Sequence, residues 1–384
     1  MNTQNTTVHI RLWNRAFWQM AIANFLLCAS VTMLIPTLPS WLLLHCGLSD
    51  GETGVAMAVF AIGLFLPGPF CSFLVQHYRR NFVCMWAVFV LAGIQLALYY
   101  LPTPSFLAVL LLRLVQGAAF GLAQMVLTST LIIDTAEAYH RTEANHSATW
   151  FGRFALSIGP LAGLLVAKSY DFHHVLWLSA ACCVAVILLI ASVHFPFRVP
   201  TDKPQLFSCD RFFLCSVWPL WILLLLVMTS VGLMLSLPLS ESFYGALMVG
   251  FFLALLAQHF VFADAELKSE VVTGLLLLAM SQLILLSGQS SVLCSPMAGL
   301  GIGVVGARFL LFFIKLSHHC QRGTSQSTFM LGWESGLALG VGLGYLCFAD
   351  SPKTALAVAL TLCVGTLLVY VLFVHSWFVR HKNR

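Results

Sequence analysis

Residues 106–131 read FLAVLLLRLVQGAAFGLAQMVLTSTL, an apolar stretch in which Arg113 is the only charged residue. A helix that crosses the hydrocarbon core of a bilayer needs about 20 apolar residues, so this stretch is long enough to span a membrane. The whole chain has the same character, because 60% of its 384 residues are apolar and 9% are charged. A soluble domain carries about 25% charged residues. The composition therefore predicts an integral membrane protein and nearly excludes a water-soluble fold.

Similar apolar runs recur along the chain and predict an all-α, polytopic membrane protein with twelve spans. The predicted spans are 17–40, 52–75, 83–101, 106–131, 146–167, 174–195, 213–237, 243–262, 271–287, 292–316, 326–348 and 354–377. The longest hydrophilic connection, 196–211, falls at the midpoint of the chain. We therefore expect an N-terminal six-helix bundle at 1–200, a cytoplasmic linker at 201–212 and a C-terminal six-helix bundle at 213–384.

The distribution of lysine and arginine predicts the orientation of these spans, because cytoplasmic loops are rich in both. With a cytoplasmic N-terminus, 14 of the 19 basic residues lie inside, two lie outside and three lie within spans. The first apolar stretch is too long for the core of a signal peptide, so we expect it to remain as a span. The prediction is a multi-pass protein of the bacterial inner (plasma) membrane with both termini in the cytoplasm.

An internal repeat supports the division into two halves, since many transporters are duplicated six-span units. A shift of 181 residues places Gly159 on Gly340, and a shift of 187 places 63–66 on 250–253. Coincidences between glycines are common in apolar sequence. These matches, however, place spans 4 and 5 on spans 10 and 11, as a duplication of six spans requires.

Two glycine motifs carry a resemblance to a known family. Span 4 contains RLVQG at 113–117 followed by Gly121, and span 5 contains GPLAG at 159–163. Both resemble helix signatures of the major facilitator superfamily, and the second resembles the GPxxG core that is common among its proton-coupled exporters. The resemblance implies two pseudo-symmetric six-helix bundles around a central path, with small residues that let helices approach closely. The residues that it assigns to helix packing or gating are Gly117, Gly121, Gly159, Pro160 and Gly163.

The loop between spans 2 and 3, residues 72–81, is similar to the cytoplasmic signature of this family only in part. Gln76 stands where the family usually has aspartate and Arg79 where it has glycine, whereas Arg80 keeps the basic character. The carboxylate that typically latches the two halves is therefore missing. We expect no mechanism here that depends on it.

Four charged residues lie well inside predicted spans, away from the span ends: Arg113, Arg153, Arg308 and Glu334. Each costs roughly 2.5 to 3.5 kcal/mol at the centre of a span, so each needs a reason. At 1.5 Å per residue, Arg153, Arg308 and Glu334 lie about 10 to 13 Å from the same side of the membrane. Glu334 is the only carboxylate placed well inside a span. It is either a protonatable coupling site whose charge state Arg308 modulates or one partner of a static ion pair.

Polar residues also follow one face of span 4, because Arg113, Gln116, Gln124 and Thr128 are separated by 3, 8 and 4 residues. Helices 1, 4, 7 and 10 line the cavity in the family that the chain resembles, which favours a substrate path. The alternative is a contact between helices held by glutamine hydrogen bonds. The matching candidates on span 1 are Asn24, Cys28 and Thr32.

Other chemistries find little support in the sequence. It contains no P-loop, HExxH or GxSxG motif, so neither ATP-driven transport nor hydrolysis is expected. His318, His319 and Cys320 adjoin one another without a convincing fourth ligand, so we expect no metal and no cofactor. No basic stripe with interleaved aromatic residues points to nucleic acid.

The sequence therefore predicts a monomeric secondary active transporter that moves a small organic solute by alternating access, with proton-coupled efflux favoured. Proton-coupled uptake of a nutrient is the alternative within transport. A membrane-embedded enzyme and a non-transporting receptor are the alternatives from other classes, and the scattered histidines disfavour the enzyme.

Overall fold

The structure is a computed structural model that describes residues 12–101, 103–137, 140–195, 205–262 and 266–382. Residues 196–204 of the hydrophilic connection, with the basic residues Arg198 and Lys203 and the first four residues of the predicted linker, lie outside the described residues. Arg11 and Arg384, which contribute to the charge count, lie outside them as well.

Twelve apolar segments dominate the described part of the chain. Eleven are helices long enough to cross a membrane, and a helix pair bent by 44° makes the twelfth. The first half contains α1 (Arg15–Leu44), α2 (Asp50–Phe65 and Gly68–His77), α3 (Arg80–Tyr100), α4 (Phe106–Asp134), α5 (Arg141–Ser169) and α6 (Phe172–Ala191). The second half contains α7 (Cys215–Leu235), α8 (Glu241–Phe260), α9 (Leu267–Leu286), α10 (Ser291–Leu316), α11 (Arg322–Phe348) and α12 (Pro352–His381). The predicted all-α fold with its spans is confirmed.

Local sequence explains where several of these helices begin and bend. Ser49 and Glu52 form a reciprocal capping box at the start of α2, which satisfies backbone N–H groups that have no partner inside the helix. Ser105 caps α4 in a similar way through its hydroxyl. The bend in α2 falls at Pro67, since proline has no backbone N–H to donate and its ring crowds the preceding turn, which kinks or breaks a helix. A π-helical turn at Leu127–Leu131 widens α4 near its end.

Because the number of spans is even, the start of α1 and the end of α12 lie at the same end of the molecule, which we call the base, and we call the opposite end the apex. Arg80 and Asp134 form an ion pair at the base, between the start of α3 and the end of α4. Lys168 and Glu241 lie 2.5 Å apart at the apex and connect α5 to α8. That the base faces the cytoplasm stays a prediction.

Glycines bring helices of the same half into close contact. A Cβ atom on Gly117 of α4 would lie 3.0 Å from the Cα atom of Gly63 on α2 and 2.2 Å from the Phe60 carbonyl oxygen. In the second half, a Cβ on Gly299 of α10 would lie 3.0 Å from the Cα of Gly250 on α8. The pairs α2–α4 and α8–α10 therefore pack alike, in agreement with the repeat seen in the sequence.

The glycines of α5 and α11 make a second matched pair of contacts. A Cβ on Gly159 would lie 2.2 Å from the Thr32 hydroxyl oxygen on α1, and one on Gly340 would lie 2.2 Å from the Thr229 carbonyl oxygen on α7. Further along the same motifs, a Cβ on Gly163 would lie 2.5 Å from the Met33 carbonyl oxygen, and one on Gly121 would lie 2.8 Å from the Leu64 carbonyl oxygen. Pro160 lies inside α5, which continues through it as one helix.

Replacing Gly117 by alanine is expected to lower the thermal stability of the protein, because the new methyl group would meet backbone atoms that cannot move aside. Overpacking of this kind costs about 1 to 3 kcal/mol. Gly93 on α3 is the matched control, since nothing lies within 4 Å of a Cβ there, and Gly93→Ala should be neutral or stabilise the helix by up to about 1 kcal/mol. Thermal unfolding in one detergent compares the two variants. Equal melting temperatures would contradict the close contact.

Candidate functional site

A small cavity lies between the two halves, near the middle of the helices. Residues of α1, α2 and α4 from the first half and of α11 from the second line its wall. The polar residues among them are Thr32, Arg113 and Glu334, and the others are apolar. Its volume of about 30 Å³ is enough for about two water molecules. A cationic side chain, Arg113, and an acidic one, Glu334, therefore line one confined space at the interface between the halves.

Glu334 is the acid of this central cavity, and it is 7% exposed. Within the described ranges no lysine, arginine or histidine lies within salt-bridge distance of its carboxylate. The side-chain amide of Gln124 on α4 lies near that carboxylate. Gln124 in turn donates from Nε2 to the Sγ of Cys28 on α1 at 3.3 Å. A polar chain thus connects Glu334 of the second half to α4 and α1 of the first.

Arg113 is the cation of the central cavity, and it is 3% exposed. Its Nη1 donates to the Gln116 Oε1 at 2.6 Å and its Nε donates to the Ala56 carbonyl oxygen at 3.3 Å. Its guanidinium carbon lies 4.8 Å from the centre of the Phe60 ring. No carboxylate in the part of the chain that the structure describes forms a salt bridge with Arg113. Its positive charge is therefore stabilised by an amide oxygen, a backbone carbonyl oxygen and an aromatic ring.

The predicted interaction between Arg308 and Glu334 is wrong. Arg308 forms a buried ion pair with Glu270 of α9, not with Glu334, and its Nη2 also lies 3.5 Å from the Phe262 carbonyl oxygen. Glu270 is fully buried. It was placed outside the membrane because the predicted ninth span began at residue 271, whereas α9 begins at Leu267 and holds Glu270 in its first turn. The depth of a residue can be derived from helix rise, but the direction of its side chain depends on packing.

The environment of Arg153 differs from those of Arg113 and Arg308, because its guanidinium lies against tryptophan rings. Arg153 lies on α5 facing α10 and α11, and it is 2% exposed. Its guanidinium carbon lies 4.5 Å from the Trp150 ring centre and 6.0 Å from the Trp333 ring centre. The three charges that were expected at one depth therefore do not converge on one site.

Most of the predicted path residues bond to helices and do not line the central cavity. Asn24 donates from Nδ2 to the Ala148 carbonyl oxygen at 2.9 Å, and this bond joins α1 to α5. Thr128 donates to the carbonyl oxygen of Gln124 in its own helix at 2.8 Å. The Gln116 Oε1 accepts a hydrogen bond from Arg113, and Gln116 itself is not part of the cavity lining. Of the four polar residues on this face of α4, Arg113 is the one that lines the central cavity within the described residues.

The partly matched loop motif lies at the base. Gln76 donates from Nε2 to the Ser72 hydroxyl oxygen at 3.0 Å. Arg80 of this loop forms an ion pair with Asp134, a carboxylate at the end of α4. Arg79 lies beside Phe82 and Trp86 on the outer surface of the first half.

Comparison with known proteins identifies the family. Residues 20–263 match the sequence model of the family described as Major Facilitator Superfamily. The chain belongs to this superfamily. Members of this superfamily are membrane transporters of solutes and not enzymes, and the resemblance drawn from the glycine motifs is confirmed.

One curated relative of this superfamily member is the staphyloferrin B transporter of Staphylococcus aureus (strain NCTC 8325 / PS 47), which is 25% identical over 202 residues. The match covers 48% of this chain and 46% of the relative, so the chain spans about half the length of that protein.

Solved structures also resemble the superfamily member over nearly their whole length. The human organic anion transporter MFSD10 (TETRAN) gives a TM-score of 0.69 at 16% identity and covers 92% of this chain and 98% of its own. A mutant of the nucleoside transporter NupG gives a TM-score of 0.67 at 12% identity, with 93% and 99% covered. At these identities the likeness shows the fold alone.

In this superfamily member two larger cavities lie at either end of the interface. The basal cavity has a volume of about 510 Å³ and is polar, with Arg80, Arg141, Arg211 and Arg322 among its lining residues. The apical cavity has a volume of about 480 Å³ and reaches from α1 to α7, α11 and α12. The central cavity with Glu334 and Arg113 is much smaller than both. The transporter is thus narrow at the middle of the interface between its halves.

Proposed function

We propose that this transporter exports a small organic solute in exchange for protons by alternating access, with Glu334 as the residue that binds the proton. The observation that carries the proposal is the uncompensated Glu334 carboxylate in a cavity that also holds Arg113. Ionisable residues inside a membrane are costly, and they commonly mark ion pathways and proton relays. Glu270, the other deeply buried acid described above, is neutralised by Arg308 and lacks this freedom.

The position of Glu334 offers a route by which its charge can act on the conformation of the protein. Its polar neighbour Gln124 and the cation Arg113 both belong to the first half. A change in the charge of Glu334 therefore changes the attraction between the halves at their interface. In our proposal, residues 1–200 rock against residues 213–384 when a proton binds or leaves, and the basal and apical cavities open in turn.

The direction of transport is inferred from the sequence. The segment 159–163 resembles the helix signature of proton-coupled exporters, which favours efflux. The name of the relative, staphyloferrin B transporter, agrees with an organic solute as the cargo. We propose a monomer in a bacterial inner membrane with the base toward the cytoplasm, on the lysine and arginine distribution.

The proposal is tested with protein in liposomes that contain a trapped pH-sensitive dye. The solute is the strongest stabiliser found in a thermal-shift screen of small organic compounds. Liposomes loaded with it are diluted into solute-free buffer at equal pH, with potassium and valinomycin fixing the membrane potential. Exchange predicts that solute leaves while protons enter, so the lumen acidifies. Alkalinisation would identify symport and an unchanged pH would identify uncoupled transport, and either result contradicts the proposal.

A further inference from the structure

A separate cleft opens between α5 and α8 in the basal half of the molecule. It has a volume of about 470 Å³ and is bounded by α5, α8, α10 and the start of α1. Its walls are largely aromatic and include Trp18, Trp150, Phe151 and Phe154. Arg308 stands at one end, where Glu270 neutralises it. The cleft therefore offers an apolar chamber of the size that organic ligands occupy.

Arg153 lies directly behind this cleft. The Trp150 indole lines the cleft, and the Arg153 guanidinium carbon, which is not itself part of the lining, lies 4.5 Å from the centre of that ring. Gly306 of α10 makes room for the group, since a Cβ there would lie 3.1 Å from the Arg153 Nε. One aromatic ring thus separates the guanidinium from the chamber.

Among the described residues, the guanidinium of Arg153 has no anion and no hydrogen-bond acceptor. Its Nε, Nη1 and Nη2 atoms are all buried, and none has a partner among the described residues. A buried cation without a partner is strongly unfavourable, and stacking on tryptophan rings compensates only part of that loss. The Trp150 Nε1 is buried without a partner as well. These unsatisfied donors are what a bound anion would satisfy.

We propose that the cleft binds an organic carboxylate with an apolar, aromatic-sized body. The Trp150 indole swings aside, the carboxylate accepts two hydrogen bonds from the planar Arg153 guanidinium, and the apolar body packs against the aromatic walls. Arginine suits this role because its fork of donors matches the geometry of a carboxylate. The site is distinct from the central cavity, and its occupancy can be measured without any pH gradient. Failure of the coupling role of Glu334 would therefore leave this proposal standing, and the reverse also holds.

The test compares 2-naphthoate with its uncharged counterpart 2-naphthamide by equilibrium binding to purified full-length protein in a neutral detergent. We expect the wild type to bind the carboxylate about tenfold more tightly than the amide, which is about 1.4 kcal/mol. Arg153→Met should bind both with equal affinity, while Arg153→Lys should keep a reduced preference for the carboxylate. Lys168→Gln, which removes one exposed positive charge at the apex, should match the wild type.

The melting temperature without ligand separates a binding role from a structural one. Arg153→Met removes an uncompensated buried charge, so it should be at least as stable as the wild type. A lower melting temperature together with an unchanged carboxylate preference would overturn the proposal and make Arg153 a packing residue. Stabilisation by phosphatidylglycerol in nanodiscs, with no binding of naphthoate, would also overturn it, because the cleft would then be a lipid site. Should Arg153→Met fail to fold, a carboxylate preference in Arg153→Lys that is clearly smaller than the wild-type preference would support the proposal, and a full wild-type preference in that variant would refute it.

Discussion

Glu334→Gln is expected to reduce proton-driven solute movement to the level of protein-free liposomes while solute exchange continues. Glutamine keeps the size of the side chain and can still bond with Gln124, so the central cavity should keep its shape. It cannot take up or release a proton, however. The charge of residue 334 then stays fixed at zero, and its attraction toward Arg113 no longer varies with pH. The conformational cycle is thereby separated from the proton gradient.

Two assays on the same liposomes resolve this effect. Proton movement driven by the solute should vanish in Glu334→Gln, whereas counterflow of labelled against unlabelled solute should remain near the wild-type rate. Glu52→Gln is the control, because it makes the same chemical change at a partly exposed residue that caps α2 outside the central cavity. Retained proton movement in Glu334→Gln would remove Glu334 from the coupling mechanism. Loss of both activities would assign Glu334 to solute binding or folding.

The fold was largely predictable because every membrane-spanning helix needs an apolar stretch of a characteristic length, which can be read from the sequence. Apolar runs of span length give the helices, and twelve of them with a central polar connection give the two halves. The close glycine contacts were also predictable. A residue without a side chain in a span is useful mainly where another backbone approaches, and Gly117 and Gly159 both lie at such contacts.

The site was predictable only in its composition. The sequence identified Glu334 and Arg113 as costly residues, and both line the central cavity. It could not give the rotation of each helix about its own axis, so equal depth was taken for proximity in the case of Arg308. The span boundary mattered equally, since a helix start four residues earlier than residue 271 turned Glu270 from a loop residue into a buried partner. A basic residue inside a span, with an acid near the start of the preceding span, is the signal that could have found this pair.

The pair of Arg308 and Glu270 is expected to produce the largest effect on stability. Glu270→Gln leaves the cation buried without its partner, and breaking a buried pair in this way costs about 3 to 5 kcal/mol. The Arg308 side chain keeps 16% of its surface exposed and so retains some solvation, which places the expected loss near the lower bound, at about 3 kcal/mol. The double variant Glu270→Gln with Arg308→Gln should recover much of that loss, because no charge remains to be compensated.

Thermal unfolding of the single and double variants in one detergent measures this coupling. Glu241→Gln is the matched control: it breaks the exposed pair with Lys168, in which the side chains are 32% and 72% exposed, and it should cost less than about 1 kcal/mol. Equal melting temperatures for Glu270→Gln and Glu241→Gln would show that Glu270 does not neutralise Arg308. If the double variant is stable and still moves solute with protons, the static ion pair considered for Glu334 belongs to Glu270 instead. Glu334 is then left as the one deeply buried acid of the described chain that is free to change its charge during transport.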